Sequence, residues 1–143
     1  MNEWVTEVSP IRLIKGVIIL KYAAVNDKTL LDALHKALFG GDYPKQVGYV
    51  LYDEEKAIGL AQMSVKPDIS RLEKIGILQE ERGKNNGDFF TRSLIWGLSQ
   101  VSEKIIVCYK SEYFKKFGFK EDGDTMSCSA KDVRFPCDCK KGV

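Results

Sequence analysis

The chain has 143 residues, a length that suits one domain, here taken as 1–143, built on one hydrophobic core. Apolar residues make up 44 % and charged residues 29 %, which excludes a disordered chain, and a net charge of +2 gives no argument for a nucleic-acid partner. No apolar stretch approaches the roughly 20 residues of a membrane span, the longest, 17–25, being interrupted by Lys21.

Residues 1–16 follow no periodic pattern, and Pro10 punctuates them. The opening run Met1-Asn2-Glu3-Trp4 has no basic region leading into an apolar one, so no secretory signal is visible. The protein is therefore expected in the cytoplasm with its four cysteines reduced. Residues 17–22 are β-branched and aromatic and read as a buried strand. Asp27 can cap a helix in which Leu30, Leu31, Leu34 and Leu38 form one apolar stripe, and Gly40-Gly41 ends it. Residues 47–52 and 57–65 read as two strands joined by the charged turn 53–56, and Pro67-Asp68 makes the next turn.

Residues 72–78 form a further apolar strand that runs straight into a turn with glycines at 83 and 87. Phe89, Phe90, Leu94, Ile95 and Leu98 then mark a helix over 87–100. A strand at 104–109 follows, Ser111 caps a short helix through Phe117, and Gly118 ends that helix. Closing strands are expected near Phe119 and over 125–133. The fold class is mixed α/β without internal repeat or linker.

The strand, turn and helix at 72–100 make a device for holding an anion. The first amides of a helix lack intrahelical partners, and the helix dipole places partial positive charge there. Small residues let a phosphate approach the backbone, and Arg82 and Lys84 add charge. Neither G-x-G-x-x-G nor a P-loop is present. Residues 72–87 instead resemble the strand, turn and helix start of the GNAT acetyltransferase superfamily, whose turn reads Q/R-x-x-G-x-G/A. The run Tyr113-Phe114-Lys115-Lys116-Phe117-Gly118-Phe119 is similar to that family's later aromatic helix ending in Gly-Phe. Residues 56–120 carry the resemblance well; the amino-terminal third follows it only in the order of elements.

The resemblance implies a mostly antiparallel sheet of about six to seven strands flanked by helices, and acetyl-CoA as the acyl donor. It implies that Ile75, Gly76 and Ile77 pair with the pantetheine arm and that Arg82, Gly83, Lys84, Asn85, Asn86 and Gly87 hold the pyrophosphate. Phe114 is expected beside the cofactor as well. A backbone N–H near Ile77 is the expected oxyanion donor, and an amine attacks the thioester directly. The family's first turn glycine is Asn85 here, a residue that tolerates positive φ. Asp88 is expected to compete with an anion for the helix amides.

Many family members place a tyrosine where this chain has Phe114. Tyr113 and Tyr109 are the candidate acids, both equally readable as packing residues, and a thiolate of pKa about 8.5 can leave without an acid. Glu73 is the candidate base; its other reading is a solvent-facing residue paired with Lys74 or Arg71. Glu80 and Glu81 read as solvated. His35, the one histidine, reads as a surface residue outside the apolar stripe. Cys108 reads as a small core filler, and Cys128, Cys137 and Cys139 lack zinc-site spacing, so no metal is expected. The reaction implied is N-acetylation of a small-molecule or peptide amine, the alternative being an acyl-CoA-binding module without catalysis. Monomer and homodimer remain open.

Overall fold

A computed structural model describes residues 12–14 and 18–136. The cysteine pair 137/139 lies outside them. Among the described residues, the chain runs β1 (Arg12–Ile14), β2 (Ile18–Val25), α1 (Lys28–Leu38), β3 (Gly48–Asp53), β4 (Lys56–Ser64), β5 (Ile69–Ile77), α2 (Asn86–Val101), β6 (Lys104–Val107), β7 (Lys120–Asp122) and β8 (Thr125–Ser129). Three short 3-10 turns join these elements. No described helix is long and apolar enough to cross a membrane.

The eight strands form one sheet in the order β1-β2-β3-β4-β5-β6-β8-β7. Every neighbouring pair is antiparallel except β5 with β6. The expected architecture is therefore present, with two three-residue edge strands, β1 and β7, bringing the count to eight. β1 lies inside the stretch expected to be irregular; three residues paired to Leu20, Ile19 and Ile18 are too few to show a period of two.

Helices cover both faces. Asp27 accepts the amide of Leu30 at 3.2 Å and caps α1. Leu31 and Leu34 then bury against Val50, Leu60 and Tyr43 on one face. On the other face, Phe90, Leu94, Ile95 and Leu98 of α2 join Leu51, Leu72, Ile105 and Val107 of the sheet. Each such side chain contributes about 1.5–3 kcal/mol by leaving water. Residues Glu112–Phe117 form the expected short helix, of the 3-10 type, capped by the Ser111 hydroxyl and closed by Gly118 at φ +101°. Phe114, Phe117 and Phe119 complete the second core. The last strand ends at Ser129, and a 3-10 turn occupies 130–132 where strand was expected.

Candidate active site

β5 is paired on one side along its length but on the other only in part. Its partner β4 follows it to the end, Gly59 facing Ile77. The parallel partner β6 stays only from Ile69 to Leu72, and the last contact is the Cys108 amide on the Leu72 carbonyl at 2.9 Å. Beyond Leu72 the two strands part, because β6 pairs over four residues and the chain then turns away. Leu78 donates its amide to Ile58 at 2.9 Å, so strand alternation turns the backbone groups of Ile77 and Ile75 to the vacated edge. Arg82 Nε reaches the Ile77 carbonyl from that side at 2.9 Å. An exposed strand edge of this kind offers main-chain bonds to an extended ligand.

The turn after β5 is built by two left-handed residues. Gly83 has φ +82° and Asn85 φ +65°, the latter serving as the N-cap of α2 without a side-chain bond. Asn86 is 5 % exposed, and its Nδ2 donates to the Glu81 carbonyl at 3.0 Å, tying the turn to its base. The first helical amide with an acceptor is that of Phe89, on Asn85 at 3.1 Å. Among the described residues, nothing accepts from the amides of 83–88. Four of these six residues, Gly83, Asn85, Gly87 and Asp88, line an open cleft of about 550 Å³ together with Ile75, Gly76, Ile77 and Arg82.

The structure thus brings together seven of the ten residues expected at the cofactor. Lys84 points its ammonium to Glu81, at 3.3 Å, and Asn86 is the brace just described. Phe114 stands apart: it is 2 % exposed within the second core, edge-on to Tyr109, Tyr113 and Phe119. Gly76 also has a reason other than ligand access. A Cβ there would meet Phe39 at 3.2 Å and Leu38 at 3.3 Å, so these side chains at the end of α1 pack closely on its backbone. At Gly87 a Cβ would touch only Ile77, at 3.7 Å; nothing in the fold itself demands that glycine.

Asp88 is held away from the helix amides. Its carboxylate takes the Tyr113 hydroxyl at 2.5 Å and Arg92 Nε at 2.7 Å, with Lys116 at 3.7 Å. Burial raises its pKa, but the bonds from Tyr113 and Arg92 outweigh that and leave it lowered. Tyr113 is shifted the opposite way: burial, then the Asp88 carboxylate, raises its pKa strongly. A phenol so held is a poor proton donor. Tyr109 follows directly on the last β5–β6 contact and packs edge-on to Phe114 at 5.7 Å, its pKa raised by burial.

Glu73 sits at a bulge. Pairing passes from Gln62↔Lys74 to Met63↔Leu72, so Glu73 is the extra residue on β5. Its Oε1 accepts from Gln62 Nε2 at 2.8 Å and from Lys45 Nζ at 2.8 Å. The pairing with Lys74 or Arg71 expected as the other reading is replaced by Lys45. Burial raises the Glu73 pKa, yet these two bonds and the charges of Lys45 and Arg71 leave it lowered. Sequence reasoning missed Gln62 and Lys45; an amide side chain inside the largely apolar run 57–65 was the available signal for Gln62.

Two further readings are corrected. His35 is 4 % exposed, bonded through Nδ1 to the Gly41 carbonyl at 3.0 Å and through Nε2 to Lys74 Nζ at 2.8 Å. Both ring nitrogens are therefore hydrogen-bonded. The position of His35 four residues after the buried Leu31 puts it on the buried face. Glu81 is 7 % exposed and bonds Lys56 at 2.8 Å as well as Lys84. The 3-10 turn at Gln79–Glu81 folds it against β4, where solvent was expected. Cys108 is half-buried, and Cys128 fills the core. Among the described residues, no cluster of potential metal ligands occurs.

No family model and no curated protein sequence matches the chain. Solved structures do. Arabidopsis thaliana Naa50 in complex with the bisubstrate analogue CoA-Ac-MVNAL superposes with a TM-score of 0.60 at 17 % identity, over 77 % of this chain and 98 % of that one. The ribosomal-protein-S18-alanine N-acetyltransferase of Escherichia coli gives 0.63 at 13 %, over 83 % and 97 %. The Escherichia coli GNAT family N-acetyltransferase YhbS, solved with CoA, gives 0.61 at 13 %, over 83 % and 85 %. The chain shares the fold of the GNAT acetyltransferases.

Proposed function

We propose that the protein is an acetyl-CoA-dependent N-acetyltransferase acting on a primary amine, with 1–143 as one domain. One observation carries this reading: residues with unbonded amides, Gly83, Asn85, Gly87 and Asp88, and the vacated edge of β5 border the same open cleft. Bound there, acetyl-CoA supplies an activated acyl group; the amine nitrogen bonds to the acyl carbon, the carbon–sulfur bond breaks, and the electron pair leaves on sulfur.

The chain's own residues divide the remaining work. Amides of 83–88 and Arg82 hold a diphosphate, each amide hydrogen bond to an anion being worth more than a neutral one. The edge of β5 at Ile75 and Ile77 aligns the arm by main-chain bonds, and an amide of this edge is the oxyanion donor. Glu73 takes the amine's proton. That step matters for a lysine-type amine, whose deprotonation at pH 7 costs about 4–5 kcal/mol, against about 1.4 kcal/mol for an α-amino group. The lowered pKa of Glu73 keeps it ionised and ready to accept. Tyr109 is the remaining candidate proton donor to sulfur, since the Tyr113 hydroxyl is committed to Asp88.

A second reading, an acyl-CoA-binding module without turnover, is favoured by the absence of a hydroxyl at Phe114. Native mass spectrometry of the purified protein with acetyl-CoA, followed by thiol release over a panel of amines, separates the two. The enzyme reading expects a bound coenzyme and release with at least one amine, lost about 100-fold in Glu73→Gln while acetyl-CoA affinity holds. Binding without release for any amine establishes the module. Absence of binding removes both.

A further inference from the structure

Glu73 already holds an ammonium. Lys45 reaches it from the loop between α1 and β3, placing Nζ 2.8 Å from Glu73 Oε1 and 3.2 Å from the Met63 carbonyl. The loop itself is anchored, because Tyr43 is 2 % exposed, donates its hydroxyl to Val47 at 2.8 Å and its amide to Asp32 at 2.9 Å. Lys45 can therefore withdraw by side-chain rotation alone. Its side chain is 34 % exposed, and ion pairs of that exposure are weak.

Beside the pair lies an unmet need. Gln62 is 9 % exposed, and the bond from its Nε2 to Glu73 fixes which way its amide faces. Its Oε1 is buried and has no partner among the described residues, an arrangement that disfavours the empty protein. Glu73 Oε1 carries both bonds; Oε2 carries none among the described residues. Next to an anionic carboxylate, a carbonyl acceptor and an orphan amide oxygen, the complementary group is a cation with several N–H donors. Lysine supplies one by way of an unbranched alkyl arm.

We propose that Lys45 is an internal stand-in for the acceptor: its ammonium occupies the place on Glu73 and Met63 that an unbranched primary alkylammonium takes in the working complex. The incoming amine displaces Lys45 from Glu73 and Met63, beside the Gln62 amide that is bonded to the same carboxylate. Lys45 is thus a specificity-determining competitor, and Gln62 a positioning residue. The proposal rests on the acyl-transfer reading for its context and its kinetic test, but not for its spectroscopic one.

The probe is n-butylamine, the arm of a lysine, with alaninamide as the branched comparison. In Lys45→Met, the KM for n-butylamine is expected to fall about two- to fivefold, the size of a part-exposed ion pair, with kcat and acetyl-CoA affinity unchanged. Lys45→Arg keeps the cation and should retain the parent KM. An unchanged or higher KM in Lys45→Met, an altered acetyl-CoA affinity, or a preference for alaninamide overturns the proposal while leaving the transferase reading intact. A readout independent of turnover is the side-chain amide resonance of Gln62, which should shift on titration with n-butylamine, and at lower amine concentration in Lys45→Met. No shift in either protein overturns it, whether or not the chain binds coenzyme A.

Discussion

At the residue scale, carboxylates at this site are tuned by what donates to them. Asp88 and Glu73 both lie in partly buried surroundings that favour the neutral acid, and in both the donated bonds win. A carboxyl with a folded pKa below its unfolded value of about 4 stabilises the fold at any pH above that value. The stabilisation disappears as pH falls through the folded value. Asp88→Asn should therefore lower the melting temperature at pH 7 and narrow its gap to the parent between pH 5 and pH 3. A gap that stays constant with pH would show that the ion pair with Arg92 contributes nothing through charge. Glu73 carries a kinetic counterpart: its acid limb in kcat/KM should fall below about pH 4.3, the free glutamate value. A rise with pH near neutrality then reports the amine's own deprotonation.

At the element scale, the turn joining β5 to α2 combines residues needed for shape with one the fold does not need. Gly83 adopts φ +82°, so a side chain there is strained. Gly87 has no such constraint, and its added methyl would make an ordinary contact with Ile77. Gly87→Ala is expected to stabilise the unliganded protein by about 0.4–1 kcal/mol, through lower entropy of the unfolded chain. The same methyl stands at the cleft wall, so acetyl-CoA affinity should drop about tenfold or more. Thermal denaturation with and without acetyl-CoA reads both effects; a variant that is more stable and binds equally well would remove Gly87 from the site. This turn was legible beforehand because strand end, glycines and helix start follow one another within one stretch of chain. Asn85 at φ +65° follows from the same local rule.

At the scale of the whole molecule, the cleft exists because β5 keeps β4 to its last residue while β6 leaves after Leu72. A ligand that bridges the parted edge and the α2 amides ties together elements from both halves of the sheet. Saturation at 100 times its dissociation constant should add about 2.7 kcal/mol to the unfolding free energy. A domain of this size then gains about 5–11 °C in melting temperature. No gain with acetyl-CoA or with longer acyl-CoAs would mean that the open amides serve no coenzyme.

The sequence alone determined what neighbouring residues control: the order of strands and helices, the caps at Asp27 and Ser111, the left-handed turn residues and the apolar faces of both helices. Those depend on contacts a few positions apart, which composition and spacing record directly. The grouping of Lys45, Gln62 and Glu73, the burial of His35 against Lys74 and the closing of Lys56 on Glu81 were decided only in three dimensions. Each joins segments 11 to 39 positions apart, and sheet register, bulge and loop anchoring set which side chains meet. A one-residue slip at Glu73 would send the carboxylate to the other face of the sheet, and no pattern within β5 alone specifies that bulge.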